Sequence, residues 1–185
     1  LRDLDILKQL AKDNMIGVKE SITSLSEDTR SILEPRTATI KKRLDTIRIL
    51  SENGIPVNAM LAPIIPGINS HEIMSMAKAV SDQGALSFVV VLVRLNGAIG
   101  QIFTDWIRKT MPHKADKVLA LIKACHGGSL NDSRIGIRGR GEGKIAQQIN
   151  DLARLAKRTY FADRELPKLN KELHEQFKQG QMKLF

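Results

Sequence analysis

Two nearly unbroken apolar runs, Ile55–Pro63 and Ser87–Leu95, constrain this chain more than any other feature. A strand with one wet face alternates apolar and polar residues. A strand that is apolar throughout is covered on both faces, as in parallel sheets flanked by helices. Between the runs lies a helical pattern, opened by Ser70 as N-cap with Glu72 in the first turn and continuing to Asp82, with Gly84 to end it. Strand, helix and strand in that order predict a right-handed parallel crossover.

The same alternation extends in both directions. Leu4, Ile6, Leu7, Leu10 and Ala11 recur at helical spacing, and Met15–Ile22 reads as a strand. Ser26 caps a short helix that ends near Leu33, and Glu34-Pro35-Arg36 separates it from the next. Thr39 caps that helix. Its apolar face is Ile40, Leu44, Ile47 and Leu50, with Lys41, Lys42, Arg43 and Arg48 facing mostly outward, and Gly54 fits the left-handed position that closes it. After the last strand come helices near Gly100–Thr110 and His113–Ala124, then a Gly/Arg-rich loop from His126 to Gly143 and a helix from about Lys144 to Tyr160. The polar tail carries Leu166, Leu169, Leu173 and Phe177 as a docking helix, with Met182, Leu184 and Phe185 to anchor its end.

Three strands do not close a barrel, and eight usually need about 250 residues. The predicted fold class is therefore α/β: a partial parallel β/α barrel with a helical C-terminal extension. Residues 1–125 form the βα units and residues 126–185 the basic loop and extension. Since Leu1 falls inside a helical pattern and is not Met, the expectation is a chain that starts in mid-protein, with the other half of the barrel as its partner.

No apolar run approaches the roughly 20 residues of a membrane span. The single Cys125 excludes an internal disulfide framework and fits a reducing compartment, the cytoplasm. It also excludes a multi-cysteine metal site made by this chain alone, so no metal ligands are assigned. The net charge is +9, with Arg134, Arg138, Arg140, Lys144, Arg154, Lys157 and Arg158 close together. Such a cluster is either a solvated basic face or a site for a polyanion such as nucleic acid.

Parallel α/β units place reactive groups at strand exits. The candidates there are Ser21, Thr23, Ala62, Pro63 and Arg94, joined by Asn58, the one polar side chain within the second strand, and by Arg36. Each has a structural alternative. Ser21 and Thr23 can simply end a strand, and Pro63 can set loop geometry. Arg36 can either pair with Glu34 across the turn or bind a carboxylate with its planar fork. Asn58 either contacts a ligand or satisfies a neighbouring backbone group. Cys125 reads as a small buried hydrophobe. His71, His113, His126 and His174 lack metal-ligand spacing and read as surface or helix-end residues. Gly139-x-Gly141-x-Gly143 is neither a Walker loop nor a dinucleotide fingerprint, and Arg134, Arg138 and Arg140 serve either an anion or the clamping of the loop.

Taken in order, Ser21-Ile22-Thr23, Glu34-Pro35, Arg43-Leu44 and Ala62-Pro63-Ile64 resemble the radical S-adenosylmethionine superfamily, and within it the spore photoproduct lyase-like branch, over roughly Leu1 to Arg94. The stretch Gly127–Gly143 resembles the C-terminal extension of members of that branch. The resemblance implies the C-terminal half of a radical S-adenosylmethionine barrel. It further implies S-adenosylmethionine and a 4Fe–4S cluster as cofactors, the cluster ligands lying on a C-x-x-x-C-x-x-C loop outside this chain, and a reductant as partner. Ser21 and Thr23 would then meet the ribose or amino-acid part of the cosubstrate, and Ala62 and Pro63 the adenine. The lyase's substrate-side cysteine and tyrosine have no counterparts here, and catalytic residues stay unassigned.

The leading reading is a lyase-like radical S-adenosylmethionine enzyme whose cosubstrate-facing strands lie in this chain, which is inactive by itself. The alternative is a basic α/β module that binds nucleic acid without catalysis. With few aromatic residues (4%), such binding would be directed mainly to phosphates. A conventional aldolase or isomerase barrel lacks a Schiff-base lysine or acid–base pair at a strand exit.

Overall fold

The computed structural model describes residues 2–182. Helix α1 (Leu4–Lys12) leads into strand β1 (Val18–Ile22), followed by α2 (Glu27–Leu33) and α3 (Ile40–Glu52). Strand β2 (Val57–Ile64) runs through a 3₁₀ turn (Ser70–Glu72) into α4 (Ile73–Asp82), and β3 (Ser87–Leu92) follows. Helices α5 (Ala98–Thr110), α6 (Ala115–Ala124), α7 (Gly143–Tyr160) and α8 (Lys171–Met182) complete the order. The three strands lie in the order β1-β2-β3 and both pairings are parallel, as the helix–strand alternation requires.

Local chemistry explains most boundaries. Ser26 Oγ accepts from Thr29 N at the start of α2, and Thr39 Oγ1 from Lys42 N at the start of α3. These contacts satisfy helix-end donors that have no intrahelical partner. Gly54 follows α3 with φ of +73°, a left-handed conformation that costs a residue without Cβ nothing. Ser70 does not cap a helix, contrary to the spacing argument. It lies inside the 3₁₀ turn, and its Oγ accepts from Gly67 N at 3.4 Å. Glu72 does not serve the α4 dipole alone either: its carboxylate accepts from Ser24 Oγ and Leu25 N, tying the turn to the segment after β1.

The two faces of the sheet differ. Val57, Ala59, Leu61 and Phe88 point into the main core, where Ile47 and Leu50 of α3, Met76, Ala77 and Val80 of α4, and Ala146, Ile149 and Ala156 of α7 meet them. The alternate residues Asn58, Met60 and Ala62, with Ser87, Val89 and Val91, are only half-buried. Two covered faces were expected from composition; one is covered and the other is open. A second cluster (Ile65, Ile68, Val93, Leu95, Ile107, Val118, Ile122) seats α5 and α6 beyond the strand exits.

Helix α8 begins at Lys171, after Leu166 and Leu169, which the docking-helix reading places on it. Leu166 and Leu169 are exposed. The side chains of Phe177 and Met182, and the residues Leu184 and Phe185, lie outside the described part. No helix among the described residues is long and apolar enough to cross a membrane.

Candidate functional site at the strand exits

A groove of about 700 Å³ opens where the exits of β2 and β3 meet α5. Ser21, Met60, Ala62, Pro63, Val91 and Arg94 line it from the sheet side, and Ile99, Phe103 and Trp106 from α5. The register explains the gathering: Ser21 pairs with Met60, and Met60 with Val89, so these side chains share the open face. Ala62 follows Met60 on that face after one intervening residue. On α5, positions 99, 103 and 106 fall on one helical stripe, and the rings of Phe103 and Trp106 lie 5.3 Å apart.

Of the seven residues selected from sequence, Ser21, Ala62, Pro63 and Arg94 line this groove. The other three do not. Thr23 is buried, and its hydroxyl donates to Ala62 O at 3.1 Å, so it ties two strand exits together beneath the groove. Asn58 pairs with Lys19 and Ser87 at the N-terminal end of the sheet, away from the exits. Its amide, oriented to satisfy its neighbours, donates to Ser87 O and Ala59 O at 3.3 Å, which is the backbone alternative of the two open for it. Arg36 is exposed in the turn before α3 and makes no hydrogen bond among the described residues. Glu34 pairs instead with Arg43, whose Nη2 donates to Glu34 Oε2 at 2.8 Å and whose Nη1 donates to Ser21 O at 2.9 Å. Arg43 is thus buried rather than outward-facing, because its planar fork bridges the Ser21 carbonyl at the end of β1 and the Glu34 carboxylate at the end of α2.

Asn69 escaped selection. It is fully buried. Its Nδ2 donates to Thr23 O (2.7 Å) and Pro63 O (2.9 Å), and its Oδ1 accepts from Ile65 N (2.7 Å). One side chain therefore holds the β1 and β2 exits in place below the groove. The aromatic wall was legible in the helical spacing of α5, and Met60 in the strand alternation. No local signal marked Asn69.

Beyond β3, His126 is buried rather than at the surface. Its ring nitrogens lie 3.2 Å from Asp132 Oδ2 and 2.9 Å from Val93 O. Asp132 also accepts from the Nε and Nη2 of Arg134 at 2.9 Å, and Arg134 reaches Glu142 as well. The Arg134 hydrogen bonds, with a smaller contribution from His126, hold the Asp132 carboxyl well below the usual carboxylate range although burial opposes them. The mirror effect raises the Arg134 guanidinium. Of the two readings of Arg134, the structure shows a clamp within the loop, from Asp132 to Glu142, while His126 ties the loop to Val93 O at the end of β3.

The groove combines an apolar wall with the Ser21 hydroxyl and the Arg94 guanidinium, which forms no ion pair among the described residues. The chain does not fit an iron–sulfur cluster. Cys125 is buried in the main core, and burial pushes its thiol up to about 11, which disfavours the thiolate such a cluster binds. Among the described residues no group of three or more His, Cys, Asp or Glu is arranged to hold a metal ion.

The model of the radical SAM superfamily matches residues 1–80. An uncharacterized protein of Acidianus two-tailed virus, ORF301, is 42% identical over 65 residues, 35% of this chain and 21% of that protein. An uncharacterized protein of Methanocaldococcus jannaschii, MJ0683, is 34% identical over 68 residues, 37% of this chain and 25% of that protein. The similarity thus spans about a quarter or less of each relative's length. No solved structure matches the chain.

Proposed function

We propose, from the radical SAM match over residues 1–80, that β1–β3 are the last strands of a partial β/α barrel of the spore photoproduct lyase-like type, their open face turned to the barrel interior. In this reading the Arg94 guanidinium takes the carboxylate of S-adenosylmethionine, Ser21 the ribose, and Met60, Ala62 and Pro63 one face of the adenine. The carboxylate–guanidinium contact is charge-assisted and orients the cosubstrate. A 4Fe–4S cluster held by another segment and given one electron by a reductant would cleave S-adenosylmethionine to methionine and a 5′-deoxyadenosyl radical. The role of these residues is to bind the cosubstrate, hold its orientation and exclude water with Phe103 and Trp106. One cysteine cannot provide three thiolates, so the cluster loop belongs to a polypeptide segment outside residues 1–185, and a reductant acts with it. An unpaired thiol suits the reducing cytoplasm.

The observation that carries this reading is the convergence of Ser21, Ala62, Pro63 and Arg94 on one exit-side groove of an open-faced parallel sheet. Calorimetric titration with S-adenosylhomocysteine, which keeps the adenosyl and amino-acid groups, tests it. Arg94→Ala is expected to weaken binding about tenfold, the usual worth of one charge-assisted contact, with Asn58→Ala neutral. Absence of saturable binding to the unsubstituted chain, or an Arg94→Ala variant that binds as tightly, would sink the assignment.

A further inference from the structure

Strand β3 has a strand neighbour on one side only. Along its other edge runs a second groove of about 800 Å³, separate from the exit-side site and independent of the cosubstrate reading. Phe88, Val89 and Val90 of β3 line it together with Lys144, Ala153, Arg154 and Lys157 of α7. Consecutive strand residues line one groove only where the strand presents its edge, since their side chains point to opposite faces. At the exit end of this edge Leu92 N donates to Gly139 O at 3.0 Å, so a loop carbonyl already meets the strand there.

The wall is cationic. Arg140, Lys144, Arg154 and Lys157 line the groove and are exposed. The two carboxylates near them are engaged elsewhere or matched: Glu142 with Arg134, Asp151 with Arg154. Lys144, Arg140 and Lys157 are in no ion pair among the described residues. From Lys144 to Lys157 the helix rises about 20 Å. An extended segment of six residues spans about 20 Å as well. Exposed edges of this kind attract added strands, with backbone hydrogen bonds giving affinity and flanking side chains giving specificity.

We propose that the β3 edge and the cationic face of α7 form a docking site for an extended acidic peptide segment of a partner protein, which adds as a fourth strand. Its backbone would pair with the N–H and C=O of Val89, which face the free edge because Leu86 N donates to Val57 O and strand residues alternate sides. Alternate side chains would rest on Val89 and Ala153, and its carboxylates would meet Lys144, Arg154 and Lys157. A nucleic-acid strand suits the site less well. Among the described residues the one aromatic lining the groove is Phe88, which is buried and offers no ring on which a base can stack, and a phosphodiester backbone leaves the strand edge unpaired.

Fluorescence anisotropy with the full chain tests the proposal, using a labelled peptide of alternating Glu and Val, the same peptide with alternate amides N-methylated, a Lys/Val peptide and a thymidine oligonucleotide of matched charge. Saturable binding of the Glu/Val peptide is expected, weakened at least about tenfold by N-methylation and by the double variant Lys144→Glu, Lys157→Glu, whose folding is checked by circular dichroism. An N-methylated peptide that binds equally well overturns the added strand. An oligonucleotide that binds more tightly than the Glu/Val peptide overturns the peptide in favour of nucleic acid, and equal binding of the Lys/Val peptide overturns the charge argument.

Discussion

Replacing Asn69 by Ala removes three hydrogen bonds at once, the buried ones to Thr23 O and Ile65 N and a partly buried one to Pro63 O. Each contributes about 1 kcal/mol net, so their loss costs about 3 kcal/mol. The orphaned Ile65 N–H and two carbonyls add desolvation that raises the total toward about 5 kcal/mol, since Asn69 is fully buried and water does not reach the vacated acceptors without rearrangement. For a chain of this size about 3 kcal/mol corresponds to a fall in melting temperature of about 6–12 °C. Asn69→Asp is expected to be no better near neutral pH, because a carboxylate oxygen replaces the Nδ2 donor opposite two carbonyl oxygens. Urea denaturation followed by circular dichroism measures the stability, and amide exchange locates the loss at the strand exits. The same variants are expected to lose affinity for S-adenosylhomocysteine, because the β1 and β2 exits that carry Ser21 and Pro63 are no longer held together. A change in stability below about 0.5 kcal/mol, the range of ordinary surface substitutions, would refute the claim that Asn69 anchors the site.

The Asp132 carboxyl is depressed in the folded chain, so its contribution is complete above the unfolded carboxyl value of about 4 and fades as pH falls through the lower folded value. The melting-temperature gap between the unsubstituted chain and Asp132→Asn should therefore be widest near neutrality and narrow in acid; a gap independent of pH would contradict the clamp. Gly141 has φ of +69°, and a Cβ there would sit 2.9 Å from Cys125 O and from Ala146 Cβ, so Gly141→Ala should cost about 1–3 kcal/mol in chemical denaturation. Gly54→Ala, left-handed too but with nothing within 4 Å of the added carbon, should cost less, about 1 kcal/mol.

Local chemistry in the chain was enough to specify the elements. The apolar runs at Ile55–Pro63 and Ser87–Leu95 carried the parallel strands, and the hydroxyls of Ser26 and Thr39 began their helices where hydroxyl caps should. These decisions depend on residues within a turn or two of one another, so spacing and side-chain type suffice. Four of the seven candidate site residues followed for the same reason: a parallel unit must present its strand exits on one side, whatever the details of packing. The Gly/Arg loop was legible as basic and Gly-rich, while the sign of its role stayed open between anion site and clamp.

Pairings between distant segments were decided only by the tertiary structure. Asn69 meets Thr23 across 46 positions, Arg43 meets Ser21 across 22, and His126 meets Val93 across 33. None of these has a periodicity to betray it, because a buried polar side chain is selected by whichever backbone groups the packing leaves unsatisfied. The same holds for Asn58, polar in an apolar strand and therefore suggestive, yet placed by register at the far end of the sheet from the exits. An apolar strand likewise cannot say whether its second face is covered by its own chain. Composition reports that a surface avoids water, whereas what meets that surface depends on every element that packs, or fails to pack, against it.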